Sequence, residues 1–222
     1  MRLNIYSGVV AVFCLALLSG CATSRSEIAL TLPEENTSQY ISEGQEVIIG
    51  EVIDRRVFEE APREPSTPSL GKGGVSKASD ETKARAVGRK RNSYGMAMGD
   101  VLLENGQTVD EVVRSSLTLA LRESGYNVLT HSTGVVADTP IIDVYIDEFW
   151  AWFNPGFWAI TLNTRIATVL ELRSSEAQEN VSVHALQRRQ VATESAWIEI
   201  IENALSDYRN EIVSIAPDLL EE

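Results

Sequence analysis

The stretch TVDEVVRSSLTLALRESGYNVL, running from Thr108 to Leu129, decides the fold class. Thr108 with Glu111 three residues on is a capping box: each side chain satisfies a backbone N–H that the first helical turn leaves without a partner. Val109, Val112, Val113, Leu117, Ala120 and Leu121 then recur on one face at helical spacing. Gly125 stands where a helix closes on a left-handed residue. The spacing predicts a helix over 109–124 and a strand over Tyr126-Asn127-Val128-Leu129. A helix with a single apolar stripe must lay that stripe on another layer, and the flanking sequence supplies a sheet.

Downstream, Ile142, Val144 and Ile146 alternate with Asp143, Tyr145 and Asp147 at the period of a half-buried strand. Trp158, Ile160, Leu162, Ile166, Leu170 and Leu172 fall at even spacing and mark a second long strand, and Asn180 to Arg189 a third. A further helix is expected from about Ala196 to Ile215, lined by Trp197, Ile201, Ala204, Leu205, Tyr208, Ile212 and Ile215, with Pro217 just beyond it. Upstream, Gln45 to Asp54 is β-branched and apolar, as a central strand is. Val101-Leu102-Leu103 suits a short strand. The expected fold is α+β: a two-layer sandwich with two helices on one face of a mostly antiparallel sheet of about four to five strands.

The N-terminus carries an address. Arg2 precedes an apolar run from Val9 to Leu18, shorter than the roughly 20 residues that span a bilayer and of the length of a signal-peptide core. Leu18-Ser19-Gly20-Cys21 resembles a bacterial lipobox, so cleavage is expected between Gly20 and Cys21, with lipid on the Cys21 thiol. Ala22, where an inner-membrane retention signal places Asp, favours the outer membrane, with the domain facing the periplasm. Cys14 leaves with the signal peptide, so no intramolecular disulfide is expected. Losing Arg2 takes the net charge from −13 to −14, which argues against nucleic acid and against anionic lipid as partners of the whole surface. The expected organisation is a signal peptide over 1–20 and a lipidated tether over 21–44, whose Ile28-Ala29-Leu30-Thr31-Leu32 suits an edge strand. A single domain over 45–216 follows, carrying a flexible Pro/Gly and basic insertion at about 57–93, and an acidic tail over 217–222 ends the chain. As a flexible coil the tether would separate its ends by roughly 25–30 Å, keeping the domain near the membrane without pressing it there.

The order of these parts resembles the YajG family of outer-membrane lipoproteins. The shared features are Gly20-Cys21-Ala22, the strand running into Asp54-Arg55-Arg56, the capped helix ending Glu123-Ser124-Gly125-Tyr126-Asn127-Val128, the alternating strands and the Trp-containing last helix. The chain departs from the pattern in the insertion after Arg56 and in the aromatics near 150. The resemblance implies a lipoprotein fold and an envelope location, and it implies no activity. More distantly the layout is similar to accessory lipoproteins of envelope lipid or lipopolysaccharide transport, an analogy at the level of fold.

Catalytic patterns are weak. His131 and His184 are the only histidines, and His131 beside Ser132 lacks a nucleophile elbow. Asp143, Asp147 and Glu148 read as a solvated sheet face. Leu70-Gly71-Lys72-Gly73-Gly74 fails as a phosphate loop, with Ser66 in place of the first glycine and Gly73 where Ser or Thr is required. No cofactor, no metal and no enzyme are expected; a hydrolase is the distant alternative. Two features point to binding. Six aromatics fall between Phe149 and Trp158 around the turn residues Asn154-Pro155-Gly156, and Trp150, Trp152, Phe153 and Phe157 are the candidate anchors. The basic run from Lys72 ends in Arg89, Lys90 and Arg91, a candidate arm for phosphate-bearing lipid or an acidic protein. Three acyl chains already retain the protein in the membrane, so a protein or lipid partner, rather than membrane retention, is the expected use of the rings.

Overall fold

The computed structural model describes residues 25–32, 44–71, 73–92, 96–129, 139–173, 175 and 177–220. Its strands are β1 (Ser26–Ile28), β2 (Glu46–Asp54), β3 (Ala86–Arg91), β4 (Ala97–Leu103), β5 (Asn127–Leu129), β6 (Ile141–Pro155), β7 (Ile160–Leu172) and β8 (Gln178–Arg189). The helices are α1 (Asp80–Arg85), α2 (Val109–Glu123) and α3 (Glu194–Leu220). The helix predicted from Thr108 is α2, and its capping box is formed on both sides. Gly125 takes φ 92°, the left-handed conformation that a residue with a Cβ adopts only at a cost.

The expectation of four to five mostly antiparallel strands is overturned. All eight strands belong to one mixed sheet, and β1–β4, β2–β5, β2–β6 and β3–β6 pair parallel. Only β3–β4, β6–β7 and β7–β8 pair antiparallel. Local alternation shows which face of a strand is buried, and it does not show which strand lies alongside.

The sheet is built on the long β6–β7 hairpin. One edge of β6 is taken by β7 over its length. The other edge is shared: β2 lies along the first half, from Ile48 opposite Ile141 to Asp54 opposite Ile146, and β3 along the second, with Gly88 opposite Ala151. The chain thus runs beside β6, leaves at Arg55 and returns further along the same edge. A β-bulge in β6 between Ile146 and Glu148 coincides with this change of neighbour. An inserted residue moves every following side chain to the opposite face. Ile142, Val144 and Ile146 therefore join the helix-side core with Phe149 and Ala151, while Trp150 and Trp152 turn to the other side.

Arg56 fills the gap between β2 and β3, with its side chain fully buried. Its guanidinium donates to the backbone oxygens of Ala86 (2.6 Å), Phe149 (3.0 Å) and Lys83 (2.9 Å). It also grips both carboxylate oxygens of Asp54, at 2.8 and 2.7 Å. Nearby, Gly88 is required by contact: a Cβ there would lie 2.7 Å from the Ala151 oxygen and 3.4 Å from the Trp197 ring.

The insertion after Arg56, expected to be flexible to about residue 93, contains α1 and the internal strand β3. Its irregular part folds over the outer face, where Leu70 is buried with Ala86, Leu102, Trp150 and Trp152. The tether is shorter than expected too. β1 pairs with β4, Ile28 and Leu30 are buried, and the Leu30 backbone exchanges hydrogen bonds with the Gln107 side chain. The last helix runs past Ile215 and takes in Pro217 close to its end.

On the helix side, α2 and α3 pack into a single core in which Leu117, Ile201 and Tyr208 are buried. Burial pushes the Tyr208 phenol up to about 12, and its hydroxyl lies 3.1 Å from that of Thr168. Leu117→Ala is expected to cost about 2–5 kcal/mol by opening a cavity under α2. Thr108→Ala is expected to cost about 0.5–2 kcal/mol through the lost cap. Urea denaturation of the two variants checks both values.

Candidate functional site

The β6–β7 hairpin carries all the aromatics between 149 and 158, and the structure sorts them into three environments. Phe149 is buried in the helix-side core, where Phe153 packs edge-on against Trp197 with ring centroids 6.4 Å apart. Trp150 and Trp152 are buried on the outer face. Phe157 and Trp158 stand at the hairpin tip, 89% and 86% exposed.

Trp150 anchors the Pro/Gly segment. Its indole N–H donates to the Pro65 oxygen at 3.1 Å, and Phe58 meets its ring edge-on at 6.1 Å. The segment is held beside it by Arg89 donating to Ser69 Oγ, by the Gly71 N–H on Asp100 and by Arg91 on the Pro62 oxygen. The expectation of Trp150 and Trp152 as exposed anchors is therefore corrected: the bulge turns both onto the outer face, where they are buried. Trp152 has His184 stacked on it at 5.5 Å and the Arg165 guanidinium 5.3 Å from its ring centroid. Its N–H and the Asn163 amide both donate to Asn154 Oδ1, while the His184 ring lies 3.1 Å from Asn163 Oδ1.

The basic run is likewise built into the sheet. Arg85 donates to the Leu103 oxygen and pairs with Glu27, joining β4 to β1. Arg89 is buried, and the loss of water holds its pKa below the usual value while the Asp100 charge opposes that shift. Burial lowers Arg91 in the same way, against Glu64. Lys90 is half-buried on the same strand. Arg89 and Arg91 are thus structural groups with defined contacts, and the expectation of an extended basic arm is corrected. Their charge was legible; their pairing with residues far along the chain was not.

The carboxylates read as a solvated face are each held by an arginine. Asp143 pairs with Arg173 and Glu148 with Arg165, while Asp147 pairs with Arg55. Asp143 and its ion pair line a cavity of about 390 Å3 with Glu171, Ser175 and Gln178, a polar lining unsuited to an acyl chain. No group of three His, Cys, Asp or Glu among the described residues is arranged to hold a metal, and no described helix is long and apolar enough to cross a membrane. Gly20, Cys21, Lys72 and His131 lie outside the described residues.

What sequence reading missed is the partition of the rings. Phe157 is the one candidate anchor that is exposed, and Trp158, read as the start of a strand, is its neighbour at the tip. The two rings meet edge-on at 4.9 Å. Gly156 closes the turn, since a Cβ there would collide with the Ala159 oxygen.

No protein-family model matches the chain, and no curated protein matches it. Among solved structures it is similar to a Xanthomonas campestris protein of family DUF330, at 11% identity over 87% of this chain and 92% of that one, with a TM-score of 0.44. It is similar to a minor lipoprotein from Acinetobacter baumannii at 14% identity over 48% and 83% of the two chains, with a TM-score of 0.36. A hypothetical protein from Chlamydia trachomatis matches at 6% identity over 81% and 99%, with a TM-score of 0.41. Likenesses of this degree assign neither family nor activity, and the likeness to the YajG family rests on order and pattern alone.

The partition of the rings has a direct readout. Trp150→Ala is expected to cost about 3–5 kcal/mol as a core truncation. Trp158→Ala is expected to stay within about 0.5 kcal/mol of wild type, as surface substitutions usually do. Thermal melts of the two variants test the contrast.

Proposed function

We propose that the chain is a non-catalytic lipoprotein of the bacterial outer membrane, anchored by lipid on Cys21, whose periplasm-facing domain docks another envelope component. The address is supported by the lipobox-like Leu18-Ser19-Gly20-Cys21. The observation that carries the docking role is the exposed ring pair Phe157–Trp158 on a hairpin whose other aromatics are all spent on packing. Large apolar groups held out at a rigid tip are a recognised means of binding, because the strands beneath them already fix their position. A non-catalytic role is supported by Asp143, Asp147 and Glu148, which are each paired with an arginine, and by His184, which is committed to a stack with Trp152. Neither arrangement offers a nucleophile beside a base.

In cells, Cys21→Ser is expected to abolish acylation, leave the precursor uncleaved and remove the protein from the outer-membrane fraction. A photo-crosslinking residue at position 158 is expected to couple to an envelope component, and the same residue at position 150 is expected to yield none. Normal processing of the Ser variant would contradict the anchor, and equal yields at the two positions would contradict docking through the tip.

A further inference from the structure

The strand register places the entry of the chain and the hairpin tip at one end of the sheet. Ser26 lies opposite Val101, Val101 opposite Gly88, and Gly88 opposite Ala151. β1 runs antiparallel to β6, so the chain preceding Ser26 leaves toward the end where β6 closes into the hairpin. From the level of Ala151 the hairpin continues four residues to Pro155, about 13 Å at roughly 3.3 Å per residue. Cys21 is five residues before Ser26 and can lie at most about 18 Å from it in any direction. The folded chain therefore begins almost at the anchor, and the tip reaches about as far outward as the anchor can.

The same end gathers exposed apolar side chains. Met96, 60% exposed, immediately precedes β4, which starts opposite Arg91 at the end of β3. Val191, 65% exposed, lies two residues past Arg189, which pairs with Ile160 at the start of β7. Phe157 and Trp158 stand at the same end, as does the exposed Arg188 on β8 opposite Thr161, while Arg25 is paired with the buried Asp100. In a chain of net charge −13, an end carrying exposed rings beside an exposed arginine is a departure from the average surface. Trp at the water–lipid boundary and arginine beside anionic headgroups are what such a boundary selects.

We infer that this end of the domain lies on the membrane itself, with Phe157 and Trp158 inserted at headgroup level beside the anchor. The inference rests on the lipid anchor proposed above and names the occupant of the tip as a lipid surface. The contact is not required for retention, which the acyl chains provide. It sets orientation: a chain held only by lipid can turn freely, whereas two points of contact fix which side of the domain faces the periplasm. The helix layer and the outer face with its Arg–carboxylate pairs then stand upright from the membrane.

The test uses the mature lipidated chain, incorporated into vesicles of phosphatidylcholine and phosphatidylglycerol with or without bromine on the phosphatidylcholine acyl chains. Bromine quenches tryptophan on contact, and Trp150, Trp152 and Trp197 are all buried, so lipid contact is read from Trp158. Bromine-dependent quenching is expected in the wild-type chain and is expected to be lost in Trp158→Phe, with both chains sedimenting with vesicles. Sedimentation without bromine-dependent quenching would overturn the inference and leave the anchor intact. If wild type and Cys21→Ser both stay in the supernatant, the anchor is wrong and the inference falls with it. Quenching that persists in Trp158→Phe would place the contact elsewhere and overturn it as well.

Discussion

Where β2 parts from β6 and β3 has yet to arrive, the edge of β6 exposes backbone oxygens to a gap that neither strand can fill. Arg56 closes this gap. Its five donors meet the oxygens of Ala86, Phe149 and Lys83 and both oxygens of Asp54, so the full capacity of the guanidinium is used. Lysine could not do this, since a single ammonium lacks the planar fork that meets a carboxylate and carbonyls together. Arg56 thus ties the end of β2 to α1, the start of β3 and the middle of β6.

The shared edge explains much of the remaining architecture. β2 and β3 follow one another along β6, so the chain between them must leave the sheet and return to the same edge. It leaves over the outer face, where Trp150 meets its Phe58 and Pro65, and comes back through α1. Splitting the edge between two strands lets β6 extend to fifteen residues, far longer than either neighbour. That length carries the hairpin to the end of the sheet from which the N-terminal chain departs. The position of the exposed rings is therefore a consequence of the fork, while the bulge beside it decides which face of the sheet each of the packed rings takes.

The sequence shows the elements whose signals are local. α2 is legible because its cap, its apolar stripe and its terminal glycine all lie within eighteen residues. β7 is legible because Ile160, Leu162, Ile166, Leu170 and Leu172 keep one parity, although Trp158 shares that parity by chance and lies in the turn. β3 is hidden because Gly88-Arg89-Lys90-Arg91 has the composition of a solvated run; its charges are balanced by Asp100 and by backbone oxygens set by folding. The bulge in β6 is hidden for a different reason: alternation holds from Ile142 to Ile146, and nothing in the sequence marks the extra residue that reverses it. The rings could be recognised as an interaction feature, but choosing among them required the register. Parallel pairing of β2 and β3 with β6 depends on contacts across roughly 60 to 100 positions and leaves no trace in local periodicity.

If the clip at Arg56 organises the fork, removing it must cost far more than a surface ion pair does. Breaking a buried pair from one side leaves the other partner and its neighbours without compensation, which typically costs about 3–5 kcal/mol. Arg56→Met keeps much of the apolar stem and strands Asp54 along with three backbone oxygens. The unfolding free energy of Arg56→Met in urea, compared with wild type, tests the account most directly. A loss of about 3–5 kcal/mol is the expected result; a change within about 0.5 kcal/mol would show that the fork is held by its strands alone.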